Sequence, residues 1–223
     1  MKFDNIEVQW LGHAGFLVST EKKKKIYLDP YNLTGQPPSA DIIFLTHSHY
    51  DHCSIGDLQK IIDDDTIIVL PADAQSKITR FEKSLHIKII EPGQELEFRD
   101  FRVIAVPAYN LHSSFHPKEE GWMGYVLKFG NVILYHAGDT DFIPEMQKLT
   151  GFGQENKLFI AMLPVGGRFT MNAEEAAGAA AVIKPNIAIP MHYGSVQGSI
   201  EDAHEFVKIC EKKGVKAMIL EKS

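Results

Sequence analysis

Four side chains able to bind a metal or move a proton fall within a span of six residues: His47, His49, Asp51 and His52. They follow directly on an apolar run of β character, Ile42–Leu45. In an extended segment residues two apart point the same way, so His47 and His49 can present imidazoles to one ion while Asp51 and His52 turn toward a neighbouring one. Neutral imidazole and carboxylate are the usual ligands of zinc and related divalent metals. The plainer reading is a polar loop whose histidines cap the next helix, with Asp51 as a turn residue. Four ligand types packed so closely behind a strand make that the poorer account.

The arrangement recurs along the chain. Phe101–Val106 leads into a loop holding His112 and His116, Val132–Tyr135 into His136-Ala137-Gly138-Asp139-Thr140, and Ile187–Ile189 into Pro190-Met191-His192-Tyr193-Gly194. Layered α/β proteins gather ligands at one end of their strands, so loops this far apart in sequence can meet at one site. A pair of divalent cations is what such a site would hold. Two divalent ions roughly 3.5–4 Å apart can share a water and lower its pKa until hydroxide exists near neutrality. They also polarise the carbonyl or phosphoryl oxygen under attack, and Asp51 can ligate while orienting the nucleophile.

The elements that must hold these loops are short. β-like runs are expected at Val8–Leu11, Phe16–Ser19, Ile26–Leu28, Ile42–Leu45, Ile67–Leu70, Ile87–Ile90, Phe101–Val106, Tyr125–Phe129 and Val132–Tyr135, with helices at Ile55–Ile62 and Ala72–Thr79. The later part alternates strand and helix: Leu158–Leu163, a helix after Asn172 that begins like a capping box with Glu175, Ile187–Ile189, a helix from about Ile200 to Lys213 ending at Gly214, and a last strand at Lys216–Leu220. The run Lys22–Lys25 lies between two β runs and reads as a solvated hairpin turn. With 223 residues and a 44% hydrophobic fraction, one α/β or α+β domain spanning 1–223 is expected, sheets inside and helices outside.

His-x-His-x-Asp-His, written here as His47, His49, Asp51 and His52, resembles the signature of the metallo-β-lactamase superfamily. Trp10-Leu11-Gly12-His13-Ala14-Gly15-Phe16, Gly138-Asp139-Thr140 and Met191-His192-Tyr193-Gly194 are similar to family features, so the likeness runs through most of the chain. The whole resembles the compact metal-dependent hydrolases near ascorbate-6-phosphate lactonase and N-acylphosphatidylethanolamine phospholipase D. The resemblance implies an α+β fold, the αβ/βα four-layer sandwich, with a dinuclear site at one edge. It implies two divalent ions, zinc first, with manganese or iron as alternatives. His47, His49 and a middle-loop histidine would hold the first ion; Asp51, His52 and His192 the second; Asp139 would bridge. His116 is favoured for the middle position because Phe115-His116-Pro117-Lys118 resembles a recurring form of that loop, with His112 as the alternative. The activity implied is cleavage of an ester-like bond, phosphodiester or lactone ahead of β-lactam, in a small polar substrate, with Asp51 catalytic.

Other residues carry weaker expectations. His13 resembles a position that contacts substrate or supports the ligands, although a structural histidine explains it nearly as well. Gly166-Gly167-Arg168 and the helix start at Asn172 could recognise a phosphate or carboxylate, with Arg168 the cation and turn chemistry the plain alternative. Tyr193 could donate a hydrogen bond into the same cleft or simply pack there. His136 could orient a ligand or bond to backbone. His86 and His204 fall outside the ligand loops, and Cys53 suits a small buried hydrophobe.

Composition bounds the partners. There are 23 Lys+Arg against 29 Asp+Glu, a net charge of −6, which argues against nucleic acid because phosphate-backbone binding needs clustered cations. The polar start and the short apolar runs predict a cytoplasmic protein with no membrane partner, acting on a small molecule; a homo-oligomer stays open. Two competing functions are a non-catalytic metal-binding or sensing protein and a di-iron oxidoreductase. The second generally has Glu where His49 stands and an appended flavin domain, for which no length remains.

Overall fold

Strands buried on both faces should read as continuous apolar runs, and those in the middle of this chain do. In the computed structural model, which describes residues 1–79, 81, 85–154 and 156–223, β1 (Lys2–Phe3), β2 (Ile6–Gly12), β3 (Gly15–Thr20), β4 (Lys25–Leu28), β5 (Ile42–Phe44), β6 (Ile67–Leu70) and β7 (His86–Ile89) form one sheet in sequence order. Its first four strands are antiparallel, and β4 through β7 run parallel. The second sheet is built from β8 (Glu95–Glu97), β9 (Arg102–Pro107), β10 (Met123–Phe129), β11 (Val132–His136), β12 (Leu158–Pro164) and β13 (Ile187–Met191). It too is antiparallel through β8–β11 and then parallel through β13.

Alternation decides what each face touches. Ile26, Leu28, Ile42 and Phe44 face the second sheet and join Phe101, Val103, Tyr125 and Leu127 in the inter-sheet core, while Tyr27 and Ile43 point outward. Those outward residues are covered by α1 (Ile55–Ile61) and α2 (Ala72–Ile78) through Leu58, Ile61, Ala74 and Ile78. α3 (Ala173–Ile183) and α4 (Ile200–Lys212) cover the second sheet, so the layers run helix, sheet, sheet, helix. The expected sandwich is the observed one. α3 carries the capping box read from the sequence: Glu175 N–H donates to Asn172 Oδ1 and Asn172 N–H to Glu175 Oε2, both at 2.9 Å. The small side chains Ala176, Ala177, Ala179 and Ala180 are all buried, which lets α3 pack closely. No helix among the described residues is long and apolar enough to cross a membrane.

The segment Lys216–Leu220 departs from expectation. It runs beside β13 but makes only a single bridge, Ala188 with Ala217, held by Ala188 N–H to Lys216 O (2.9 Å) and Met218 N–H to Ala188 O (3.0 Å). The next outward residue of β13 is Pro190, which has no N–H to continue the ladder, so the pairing stops. The Lys22–Lys25 turn is as expected, with Lys22 and Lys24 paired to Asp100.

One buried carboxylate anchors the β4–β5 connection. Asp57 on α1 accepts hydrogen bonds from the N–H groups of Asn32 (2.7 Å) and Leu33 (2.9 Å), from Ser54 Oγ (2.7 Å) and from Lys60 Nζ (2.9 Å). Burial alone would raise its pKa, but Lys60, Ser54 and the two backbone donors outweigh it and hold the pKa below the ordinary value. Asp57→Ala leaves two backbone donors unpaired and should cost about 2–3 kcal/mol. For a domain of this size that is a fall of roughly 5–10 °C in Tm. Because the folded pKa lies below the unfolded one, the contribution is present above the unfolded value and fades as pH falls through the folded value. Thermal melts of both proteins from pH 7 to pH 3 should therefore converge toward the acid end; parallel curves would contradict the assignment.

Candidate metal centre

The loops that carry the histidines all leave the strands at one edge of the sandwich. Those after β5, β11 and β13 leave parallel strands at their C-terminal ends. The turn between β2 and β3 and the loop after β9 reach the same edge. Met123 N–H donates to Thr46 O (3.2 Å), tying the second sheet to the loop of the first.

Three groups of side chains meet there with potential ligand atoms within 4.8 Å of one another: His47, His49 and His116; His47, His52 and Asp139; and His13, Asp51, His52 and His192. Asp139 is central. Its Oδ2 lies 3.0 Å from His192 Nε2, 3.3 Å from His116 Nε2 and 4.0 Å from His47 Nε2, and its Oδ1 lies 3.2 Å from His52 Nε2. Asp51 Oδ2 is 3.7 Å from His52 Nε2 and 4.0 Å from His192 Nε2. All these residues are buried except His49, which is partly exposed. His116 therefore joins the cluster, while His112 is exposed outside it.

Outer partners fix the histidine tautomers. Thr46 has one hydroxyl proton, and its Oγ1 lies 2.6 Å from Asp29 Oδ2, so it accepts from His47 Nδ1–H at 2.9 Å. His52 Nδ1 faces the same Asp29 oxygen at 2.7 Å. His116 Nδ1 lies 2.9 Å from Asn110 Oδ1 and 3.0 Å from the Phe169 carbonyl. In each case the Nδ1 side faces an acceptor, which leaves Nε2 to face the cluster, the way metal-binding histidines are commonly held. The Nε2 atoms of His52, His116 and His192 and Oδ1 of Asp139 are buried and make no hydrogen bond among the described residues, although they lie close together. Buried polar atoms are rarely left so. Imidazole and carboxylate lone pairs converging without hydrogen-bond geometry fit divalent cations.

Electrostatics point the same way. Burial would raise the Asp139 pKa, but His192 and His52 around it hold it well below the ordinary carboxylate range. Asp51 is likewise held down to about 2, burial being outweighed by the His13 hydrogen bond and by His52. Burial lowers His47 and His49, keeping both imidazoles neutral. For His52 burial is opposed by Asp139 and Asp29, which hold its pKa well above the ordinary value.

The backbone is shaped to fit. Gly138 (φ 65°) precedes Asp139, and a Cβ there would lie 2.7 Å from Met123 O. Gly166 packs directly against the His192 carbonyl, where a Cβ would collide.

The sequence profile of the beta-lactamase superfamily domain matches residues 7–192. The chain belongs to the metallo-β-lactamase superfamily. It is 35% identical over 227 residues to a UPF0173 metal-dependent hydrolase of Thermoplasma acidophilum, covering 98% of this chain and 96% of that protein. Among solved structures it resembles a Parabacteroides distasonis protein assigned to the metal-dependent hydrolases, with a TM-score of 0.83 and 29% identity over 98% of this chain and 94% of that one. Igni18, a metallo hydrolase of Ignicoccus hospitalis, shares the fold with a TM-score of 0.77 at 21% identity, over 98% of this chain and 96% of that one. Two clustered ligand sets on a metallo-β-lactamase scaffold support metal-dependent hydrolase activity.

The other residues singled out in the sequence make the following contacts within the fold. His13 is 2% exposed; its Nε2 lies 3.0 Å from Asp51 Oδ2 and its Nδ1 3.0 Å from Ser195 Oγ. Both ring nitrogens are engaged, and its geometry suits support of Asp51. Tyr193 is buried and stacks on Trp10 at 4.8 Å, with burial pushing its pKa up to about 12. Arg168 is exposed over the Phe169 ring at 4.9 Å, and the helix start beyond it is capped by its own Asn172. His136 bonds to backbone, Nε2 to Ala14 O at 2.8 Å, and Cys53 is a buried free thiol.

Sequence reasoning missed Asp29, Thr46, Asn110 and Ser195, the partners that orient the imidazoles. A signal for Asp29 was present. Leu28-Asp29-Pro30 places a ligand-type side chain directly after the apolar run of β4, as the other loops do.

Proposed function

We propose that the protein hydrolyses an ester-like bond, phosphodiester or lactone, in a small-molecule substrate, using a dinuclear zinc centre. His47, His49 and His116 would hold the first ion, Asp51, His52 and His192 the second, and Asp139 would bridge them. The observation that carries this reading is the set of buried, unpaired Nε2 and carboxylate atoms gathered around Asp139. Imidazole predominance among the donors favours zinc over manganese, with iron as the other candidate. Bound there, two divalent ions supply an acidified water and a Lewis acid for the oxygen under attack. The chain's own residues do the rest. Asp29, Thr46 and Asn110 hold the imidazoles in the required tautomers, His13 holds Asp51 in place, and the buried walls exclude bulk water from the carboxylates.

The test is metal reconstitution followed by a panel of chromogenic phosphodiesters, lactones and esters. The expected results are two equivalents of zinc by elemental analysis and turnover that a chelator abolishes. Metal binding should also release protons, since Asp139 and Asp29 raise the His52 pKa and a bound cation opposes that effect; calorimetry in buffers of different ionisation enthalpy reads this directly. Full metal loading with no turnover across the panel would favour the sensing role instead.

A further inference from the structure

His49 is the one proposed ligand that is not buried, which marks the side on which the centre lies nearest solvent. Large apolar side chains stand among the polar ones on that side. Six large hydrophobic side chains are exposed among the described residues, and three of them lie on the two loops that carry His49 and His116: Tyr50 (63% exposed) between His49 and Asp51, Phe115 (46%) beside His116, and Leu111 (46%) on the same loop as Phe115. Single exposed hydrophobic residues are ordinary on a protein surface, but half of them on the two loops that carry His49 and His116 are not. Two are braced as rings in place. Phe115 stands edge-on against Phe169 at 4.5 Å, and Tyr50 against Tyr31 at 6.0 Å, whose own ring abuts His13 at 5.5 Å. Trp122 lies 4.9 Å from the His49 ring and is fixed by its Nε1–H to Asp73 at 2.8 Å.

Cations are few at the same place among the described residues. Lys118 is occupied by Glu145 and Tyr109, and Lys77 by the Ser48 carbonyl; Arg168 stands beside Phe169, and Lys222 lies beside Gly12 on the His13 side. A face carrying aromatic rings with little positive charge is matched to an uncharged, apolar group rather than to a polyanion.

We propose that the substrate carries an apolar group of aryl size next to the bond that is cleaved, and that Phe115 and Tyr50 grip it from opposite loops. This rests on the hydrolase reading and narrows it. The small polar substrate expected from the sequence is replaced by one with an apolar flank.

The zinc-loaded protein should be titrated calorimetrically with two inert probes, methylphosphonate and phenylphosphonate. Both offer the centre the same oxygens, and only the second offers a ring. Phenylphosphonate is expected to bind about tenfold more tightly or better, the return on burying one ring against the rim. Phe115→Ala and Tyr50→Ala should each cut that preference several-fold with metal content unchanged. Both residues are exposed, so neither change threatens folding. Equal affinity of the two probes for the native protein would overturn the inference while leaving the metal centre standing. So would a preference that survives both substitutions together. Equal affinity combined with a dimer that Phe115→Ala dissociates would assign the rim to a second copy of the chain instead. Binding of neither probe would overturn the reading of the centre, and this inference with it.

Discussion

Asp139→Ala is expected to reduce bound zinc from two equivalents to one or fewer and to lower turnover on the order of a thousandfold or more. In the proposed assignment each other ligand serves one ion, whereas Asp139 lies within 3.3 Å of histidines from both sets. It also carries the negative charge that sets the neighbouring imidazoles. Without it, His52 loses the nearer carboxylate on its Nε2 side and keeps Asp29 and the more distant Asp51, and its pKa should fall because burial is then opposed less. Stability gives a second readout that does not depend on substrate. A ligand at a thousand times its Kd stabilises a fold by about 4 kcal/mol, which for this chain length is on the order of 10 °C in Tm. The native protein should show a shift of that size between chelated and zinc-loaded samples, and Asp139→Ala should show little. A variant that still takes up two zinc ions and turns over substrate normally would remove Asp139 from the centre.

The parts of the structure that could be read from the sequence share a physical cause. β5, β6, β11 and β12 are buried on both faces, so their strings of Ile, Leu, Val and Phe stand out. The α3 start was legible because a capping box is a local device, made by Asn172 and Glu175 alone. β8 was not legible. Its Glu95-Leu96-Glu97 lies on an exposed edge, where charge is tolerated and apolar periodicity is not needed. Lys216–Leu220 looked like a strand because its composition is right, but pairing depends on what the neighbour offers, and Pro190 offers no N–H.

Within the site, side-chain type marked His47, His49, Asp51, His52, Asp139 and His192. Choosing His116 over His112 depends on the loop path that brings Asn110 Oδ1 and the Phe169 carbonyl to His116 Nδ1. Residues 110 and 169 are far apart in the chain, and no local pattern announces their meeting. Ser195 was missed for the same reason, since it acts on His13 from another loop; Asp29 had a local signal, a carboxylate directly after an apolar run, but stands alone there rather than in a cluster.

His13 and Asp51 should behave as one unit. Asp51→Ala is expected to abolish metal-stimulated hydrolysis while leaving the fold intact, because it removes a proposed ligand of the second ion and touches little of the core. His13 acts through it. At neutral pH the ring is uncharged, since burial, helped by His192 and His52, pushes its pKa down to about 4 against the pull of Asp51. The Asp51 carboxylate accepts from Nε2–H, so Nδ1 is left to accept from the Ser195 hydroxyl, and the imidazole fixes which way Asp51 Oδ2 points. The backbone of His13 is left-handed (φ 53°), and its carbonyl accepts from both His192 N–H (2.9 Å) and Trp10 Nε1–H (2.9 Å). Alanine there would mix backbone strain with loss of the ring. Asparagine tolerates positive φ and isolates the ring's contribution. His13→Asn should weaken zinc affinity at the second site by about 10–100-fold, the usual effect of losing a partner that orients a metal ligand, and lower turnover in step. In the Asp51→Ala background the same change should do almost nothing further, because the interaction it serves is already gone. Additive losses in the double variant would mean that His13 works on the substrate or on the fold, independently of Asp51.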